Sequence, residues 1–473
     1  MLTVSFVFAV ICFAFLLLFF TGVPNLRTCR LPLSSVTNEP DQIKNRLAVM
    51  LITLVYAVSA FWNLGNTQSP QTFVPMQERS VVMELREEQV PGQLVLFPGV
   101  GQGKYDIEYS SDAEGWFPLT TFTQDHVSVL KWQYLPLECN GTLRYMRIHC
   151  VSGAPWLGEL MLKNCDGSPI RISSSIPELT DEQNLVPVAS DYHNSSYFDE
   201  IYHARTAWEH LHRVWPYEIS HPPLGKEMLS LGILLFGMTP FGWRFSGTLT
   251  GVLMLPLMYL FLRRLYGSGR IAVLGTVMSA AGFMHYVQTR IATVDSFAVF
   301  FILLMYFFMW SWLQSGKKRN LFFCGISFGM GAATKWICLY AGAGMGVIWL
   351  CHWILEAKER PAGFASRFLK NALLCILTFI AVPALIYYFS YLPYGITENT
   401  KLFSRAYGKL VLDNQAFMFR YHAGVVAEHP YSSRWYQWLL NIRPILYYLE
   451  YLPEGRRISI AAFVNPVLSW GGF

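Results

Sequence analysis

Long apolar runs, more than any other feature, constrain what this sequence can fold into. A helix crosses a bilayer core with about 20 mostly apolar residues, because lipid offers backbone N–H and C=O groups no partner outside the segment. Runs of that kind occupy residues 1–20 and 47–64 and then, after a gap of well over a hundred residues, about 241–262, 271–287, 293–313, 321–337, 339–356 and 371–391. The first run has no Lys or Arg ahead of it and no small-residue cleavage site, so it reads as a retained helix rather than a signal peptide. Basic residues fall in every second loop: Arg27, Arg30, Lys44 and Arg46, then Arg263, Arg264 and Arg270, then Lys317, Lys318 and Arg319, then Lys358, Arg360, Arg367 and Lys370. Basic short loops stay cytoplasmic. The expectation is therefore a multi-pass cell-membrane protein whose N-terminus, long insert and final segment from Pro393 lie outside. The tightest junctions fall at 288–292 and 338. Charged residues are only 14% of the chain and the net charge is +5, against about 25% charged in soluble domains. That balance excludes a disordered polymer and a basic nucleic-acid binder.

The long insert has a different texture. Across 67–186, short alternating runs stand at 81–85, 93–97, 105–109, 127–132, 143–149 and 159–162, separated by Gly, Pro, Asp and Asn. That pattern predicts an extracytoplasmic β-sandwich. It contains Cys139, Cys150 and Cys165. An oxidising compartment allows one disulfide among the three, and the sequence does not choose the pair. Cys12, Cys324, Cys338, Cys351 and Cys375 fall in spans and read as packing residues, and Cys29 falls on the cytoplasmic side. No CxxC or His-rich zinc spacing is present, so no zinc site is expected.

Beyond the sandwich the sequence turns to chemistry. Tyr197-Phe198-Asp199-Glu200-Ile201-Tyr202-His203 sets two adjacent carboxylates among aromatics. Neighbouring residues on a helix point about 100° apart. One carboxylate can therefore face a pocket, where a partly buried acid acts as general base, while the other makes a structural contact. A plain helix N-terminal pair would look the same, and the pair could also hold a divalent cation. His221-Pro222-Pro223-Leu224-Gly225-Lys226 follows, its prolines stiffening the entry to the next helix. Arg244 stands at the outer end of a span, where an arginine either snorkels or grips phosphate through its planar fork. Gln288, Arg290 and Asp295 mark the next outer turn, and Lys335-Trp336 another. Ionisable groups in or beside spans are functional candidates. These all map to one side, which points to a site for anionic lipid chemistry.

The ordered motifs FDE, HPPLGK, W-R-F-S, Q-T-R-x-x-x-x-D-S, A-T-K-W, Tyr421-His422, His429-Pro430-Tyr431-Ser432-Ser433-Arg434-Trp435, Arg443-Pro444 and Asn465-Pro466 resemble the bacterial branch of the protein O-mannosyltransferase family. These are GT-C class membrane glycosyltransferases. The insert, through YDIEYSSDAEGWFPL and RYMRI, resembles discoidin or galactose-binding-like sandwiches. The resemblance implies a polytopic α-helical GT-C membrane protein with an inserted sandwich. It also implies transfer of a sugar, mannose in that family, from a polyprenyl-phosphate carrier to a hydroxyl acceptor on a secreted protein, by inverting single displacement. Asp199 then matches the family base and Glu200 its partner. Arg244, with Lys335 and Arg290, matches the donor-phosphate side. His221, Lys226, Asp295 and His429 fall in signature or positioning places.

The expected units are two N-terminal spans with their loop (1–66), the sandwich (67–186), the membrane core (187–392), and an outer segment with the start of a cut-short span (393–473), the family's last spans being missing. Interfacial helices rich in Trp435, Tyr436, Trp438 and Tyr447 are expected in the last segment, as a lid or an anchor. Rival readings are transfer to a lipid or wall glycan, as in related aminoarabinose transferases, and a truncated, non-catalytic, membrane-anchored carbohydrate-binding protein that uses the sandwich.

Overall fold

The computed structural model describes residues 41–139, 141–426, 432–452 and 455–471. The expected span at 1–20, with Cys12, and also Cys29 and His429, lie outside the described residues. Helix α1 (Ile43–Phe61) exposes Leu47, Leu51, Leu54, Val55 and Val58 along its length, the surface of a helix made for lipid rather than water.

The chain then builds two antiparallel five-stranded sheets. One has the order β1-β8-β3-β6, with β9 on the far side of β8. Its strands are β1 (Val74–Pro75), β3 (Gln93–Pro98), β6 (Gln133–Pro136), β8 (Trp156–Lys163) and β9 (Pro169–Ile170). The other has the order β10-β2-β7-β4-β5, from β2 (Ser80–Gln89), β4 (Gly103–Ser110), β5 (Phe117–Gln124), β7 (Leu143–Gly153) and β10 (Ile172–Ser174). Alternation packs Val81, Met83, Leu85, Ile107 and Ile148 of one sheet against Leu94, Leu96, Leu160 and Leu162 of the other.

Strand β3 is apolar at every position from Leu94 to Phe97 because both its faces are covered. Val95, Phe97 and Met161 point away from the sandwich interior and join a core shared with the helices. The junction is aromatic. The rings of Phe73 and Trp156 each stand 5.5 Å from Trp208 on helix α2 (Glu200–His212), and Phe97 lies 4.8 Å from Trp132. The expected strand at 127–132 is instead a turn. Its apolar residues Val129, Leu130 and Trp132 serve this junction rather than a ladder.

Among the described residues, five helices are long and apolar enough to cross a membrane. They are α1, α4 (Pro240–Tyr266), α7 (Asp295–Ser315), α9 (Ile337–Glu359), and a continuous run over Phe364–Thr397 that contains α10 (Phe364–Ile376), α11 (Val382–Ser390) and α12 (Leu392–Thr397). The run expected at 271–287 is a pair of helices, α5 (Gly269–Ala280) and α6 (Phe283–Thr289), bent by 60°. The run at 321–337 is α8 (Lys318–Thr334), 17 residues long.

Helix α3 (Leu224–Phe236), too short to register as a span, packs between α2, α4 and α8 and is buried over most of Leu224 to Ile233. Gly225 makes this packing close: a Cβ there would meet the Val294 side chain at 2.7 Å and that of Thr334 at 3.0 Å. Absence of a side chain thus draws the HPPLGK segment against the residues just before α7 and at the end of α8.

The last segment departs from expectation. Besides α13 (Arg405–Gly424) and the short α14 (Trp435–Leu439), it forms a hairpin of β11 (Ile445–Tyr451) and β12 (Arg457–Ala462), before α15 (Pro466–Gly471). Tyr447 is therefore on a strand, not an interfacial helix.

Candidate active site

The acidic pair divides at the start of α2. Glu200 is fully buried and Arg244 is 1% exposed. Arg244 Nε donates to Glu200 Oε1 at 2.7 Å and Nη2 to Oε2 at 2.7 Å, a two-toothed fork. Nη1 donates to Leu64 O at 3.0 Å and Nη2 also to Ser195 O at 3.1 Å. Glu200 accepts in addition from the backbone N–H groups of Ala292 and Tyr197, each at 3.2 Å. One ion pair thus ties together the end of α1, the loop before α2, α4, and the turn before α7. The sandwich holds the same loop. Ser196 N donates to Leu130 O at 2.9 Å, and Trp132 N to Ser195 Oγ at 3.2 Å.

This arrangement gives Arg244 an ion-pair partner that the sequence did not indicate. Its fork is filled by a carboxylate of its own chain, and Glu200 is the partner that fills it. Arg290 is placed differently too. It donates to Ala60 O at 3.0 Å, Trp62 O at 2.8 Å and Asn63 O at 3.1 Å. It caps carbonyls at and just past the end of α1, where a cation suits the helix dipole.

Asp199 is the other half of the pair. Its carboxylate makes no hydrogen bond to any described residue, and its backbone carbonyl accepts from Tyr202 N and His203 N. Burial, then the negative charge of Asp295, pushes its pKa up to about 6, against the pull of Lys335. Phe198, just before it, holds a left-handed backbone with φ 51°, a strained conformation for a bulky residue. Its ring packs 4.6 Å from Tyr447 of the hairpin. Tyr447 in turn donates to Gln288 Oε1, and burial, with Asp295 and Asp199 nearby, raises its phenol pKa.

Asp295 and Lys335 come from the tight junctions. Residues 290–294 separate α6 from α7 and residues 335–336 separate α8 from α9. Both breaks open at the end of the bundle that carries the sandwich. They bring Lys335 Nζ to 2.7 Å from Asp295 Oδ1, with the two side chains 27% and 38% exposed. Among the expected phosphate ligands, Lys335 is the cation placed beside Asp199.

His221 and Lys226 organise a second cluster. Lys226, fully buried, lies 2.5 Å from Glu218 Oε2 and donates to His221 O at 2.8 Å. Burial alone would raise the Glu218 carboxyl, but the Lys226 ammonium, helped by His221, holds it well below the usual range. His221 Nδ1 is 3.1 Å from Glu218 Oε1. The His221 ring stands 5.8 Å from His203 and 5.5 Å from His422. His203 sits one helical turn beyond Asp199, on the same face of α2; burial keeps its imidazole neutral, with a pKa of about 3. The sequence reading missed Glu218, His203 and Tyr447 as members of the site. For His203, the i, i+4 spacing from Asp199 was the signal available.

Among the described residues, the acidic, His or Cys ligand atoms that gather in threes within 4.8 Å are those of Glu159, Asp181 and Glu182, in the β-domain. No such group forms around Asp199.

Residues 236–394 match the family model of dolichyl-phosphate-mannose-protein mannosyltransferases. A polyprenol-phosphate-mannose–protein mannosyltransferase of Mycobacterium tuberculosis is 25% identical over 305 residues, covering 54% of this chain and 58% of that one. Its counterpart in Corynebacterium glutamicum is 25% identical over 313 residues, covering 53% and 59%. An undecaprenyl phosphate-α-4-amino-4-deoxy-L-arabinose arabinosyl transferase of Pseudomonas aeruginosa is 27% identical over 171 residues, covering 34% and 30%. The chain thus spans somewhat more than half the length of the mannosyltransferases it matches. Over residues 236–394, the membrane core of this chain is similar to the protein O-mannosyltransferases.

Proposed function

We propose that the chain transfers mannose from a polyprenyl-phosphate carrier to a hydroxyl of a protein acceptor, at the outer face of the membrane. The observation that carries this reading is the unbonded Asp199 carboxylate beside the Lys335–Asp295 pair, at the strand-bearing end of a family membrane core. Asp199 takes the proton as the acceptor oxygen attacks the anomeric carbon. A carboxylate with a pKa of about 6 is a stronger base than an ordinary one and is still ionised at neutral pH. The carrier phosphate leaves with growing charge, and Lys335 turns from Asp295 toward it. Glu200 and Arg244 hold the Asp199 turn in place, and the Glu218–Lys226 pair fixes His221 beside it. Positive charge comes from lysine in this reading, so EDTA leaves the transfer unchanged.

Membranes containing the full chain, given labelled polyprenyl-phosphate mannose and envelope proteins, are expected to place alkali-labile label on protein Ser or Thr. The aminoarabinose transferase relative supports a second reading, transfer to a lipid. Label confined to the lipid fraction would establish that reading and overturn the first. For the sandwich, we propose a glycan contact at Trp116. Arg147 lies 4.3 Å from the centre of its ring and pairs with Glu108, an aromatic face beside polar groups of the kind sugars use.

A further inference from the structure

The β-domain contains Cys139, Cys150 and Cys165, all reduced in this structure, and its geometry separates them. Strand β3 is flanked by β6 and β8. Gln93 pairs with Pro136 on one side and Lys163 on the other, so β6 and β8 leave the sheet at the same end. Gly92 joins the two exits: it donates to Lys163 O at 2.9 Å and accepts from Leu137 N at 3.0 Å. Cys139 lies two residues past Leu137 and Cys165 two residues past Lys163.

Flat strands would leave β3 between the two cysteines. They do not stay flat, because Gly92 has no side chain. A Cβ at Gly92 would meet Cys165 Cα and N at 2.7 Å and Sγ at 2.9 Å. Cys165 therefore lies across the face of β3 at Gly92. By alternation that face is the one shown by Leu94 and Leu96, and Cys139 packs against the same core. The two thiols thus share one face at one end of the sandwich. Burial, and then Cys165 itself, raises the Cys139 thiol pKa.

Cys150 is elsewhere. On β7, Leu143 pairs with Gln89 near this end, whereas Cys150 pairs with Tyr105 seven residues further along. At about 3.3 Å per residue that is roughly 23 Å away, beyond the 7 Å Cα limit for a bridge. It is 3% exposed inside the core.

We propose that Cys139 and Cys165 form a disulfide in the mature protein, with Cys150 left as a buried thiol. The reaction is exchange with a protein disulfide of the envelope. Each cysteine gives up its proton, two electrons pass to the oxidant, an S–S bond forms between the two Sγ atoms, and the oxidant leaves as a dithiol. The bridge fastens the exits of β6 and β8, two strands of the sheet that docks on α2, and so stiffens the support of the helix that begins at Asp199 and Glu200. The inference rests on the outward placement of the β-domain in the proposed function.

The test is peptide mapping of the full chain, purified from its own membranes, denatured and alkylated without reduction. The expected result is one linked species joining the Cys139 and Cys165 peptides, two hydrogens lighter than their sum, with Cys150 alkylated. Separate alkylation of Cys139 and Cys165, or a link through Cys150, overturns the pairing. Intact cells carrying Cys139→Ser, treated with a membrane-impermeant maleimide, separate the two layers of the inference. Label on Cys165 in that variant but not in the unsubstituted chain supports both. Label in both chains keeps the outward placement and overturns the pairing. No label in either, with Cys165 found free after lysis, overturns both.

Discussion

Replacing Arg244 by Met removes one half of an ion pair in which neither side chain exceeds 1% exposure. Glu200 would keep only two backbone donors, each at 3.2 Å, for a full negative charge in a dry site. Removing one partner of such a pair costs about 3–5 kcal/mol, because the other charge stays buried and uncompensated. At about 2 °C per kcal/mol for a large cooperative unit, the melting temperature of the detergent-solubilised chain falls by about 6–10 °C. Arg244→Lys keeps the charge but loses the fork, so it recovers little. Glu200→Gln combined with Arg244→Met leaves no charge stranded and should recover half the loss or more. Thermal unfolding of the three variants, with donor KM measured on each, tests the assignment. A melting temperature unchanged within a degree in Arg244→Met or Arg244→Lys, with donor KM raised tenfold, would refute it and return Arg244 to the carrier phosphate.

Three further outcomes follow from the same geometry. Lys335→Met should raise donor KM and slow turnover by about 100-fold with little change in melting temperature, since its partner Asp295 is partly exposed. Trp208→Ala removes the ring that Phe73 and Trp156 both contact, at a cost of about 3–5 kcal/mol, and limited proteolysis should then cut between the sandwich and α2. The log of kcat/KM should fall with unit slope as pH drops below about 6, because the base must be ionised. The raised pKa has an opposite consequence for stability. The contribution of Asp199 is fully present below the ordinary carboxylate pKa and is lost as pH rises through about 6, so Asp199→Asn should raise the melting temperature at pH 8 and leave it unchanged at pH 4.

What the sequence revealed depended on how local each feature is. The spans were legible because lipid demands length and apolarity from a single segment, and the described helices α1, α4, α7 and α9 lie where the apolar runs do. The division of labour between Asp199 and Glu200 was legible as a possibility, since helix geometry alone turns neighbours apart. The ion pair of Arg244 was not. A guanidinium at a membrane boundary looks the same in sequence whether it meets a phosphate or a carboxylate, and its carboxylate lies 44 residues away. Arg290 is the same case, its acceptors being carbonyls at and just past the end of α1, some 230 residues earlier. The hairpin escaped because Ile445–Tyr451 is aromatic enough to pass for an interfacial helix, and only its pairing with Arg457–Ala462 makes it a strand. Likewise β3 looked like any apolar strand until Trp208 supplied a second buried face.

The central claim is that Asp199 is the base, and transfer by Asp199→Asn tests it most directly. Asparagine keeps the shape and removes the proton acceptor. The predicted result is turnover slowed by about 100-fold or more, the size expected for loss of a general base, with donor KM unchanged within a few-fold and the protein folded. Transfer to acceptor at a rate within tenfold of the unsubstituted chain would contradict the account.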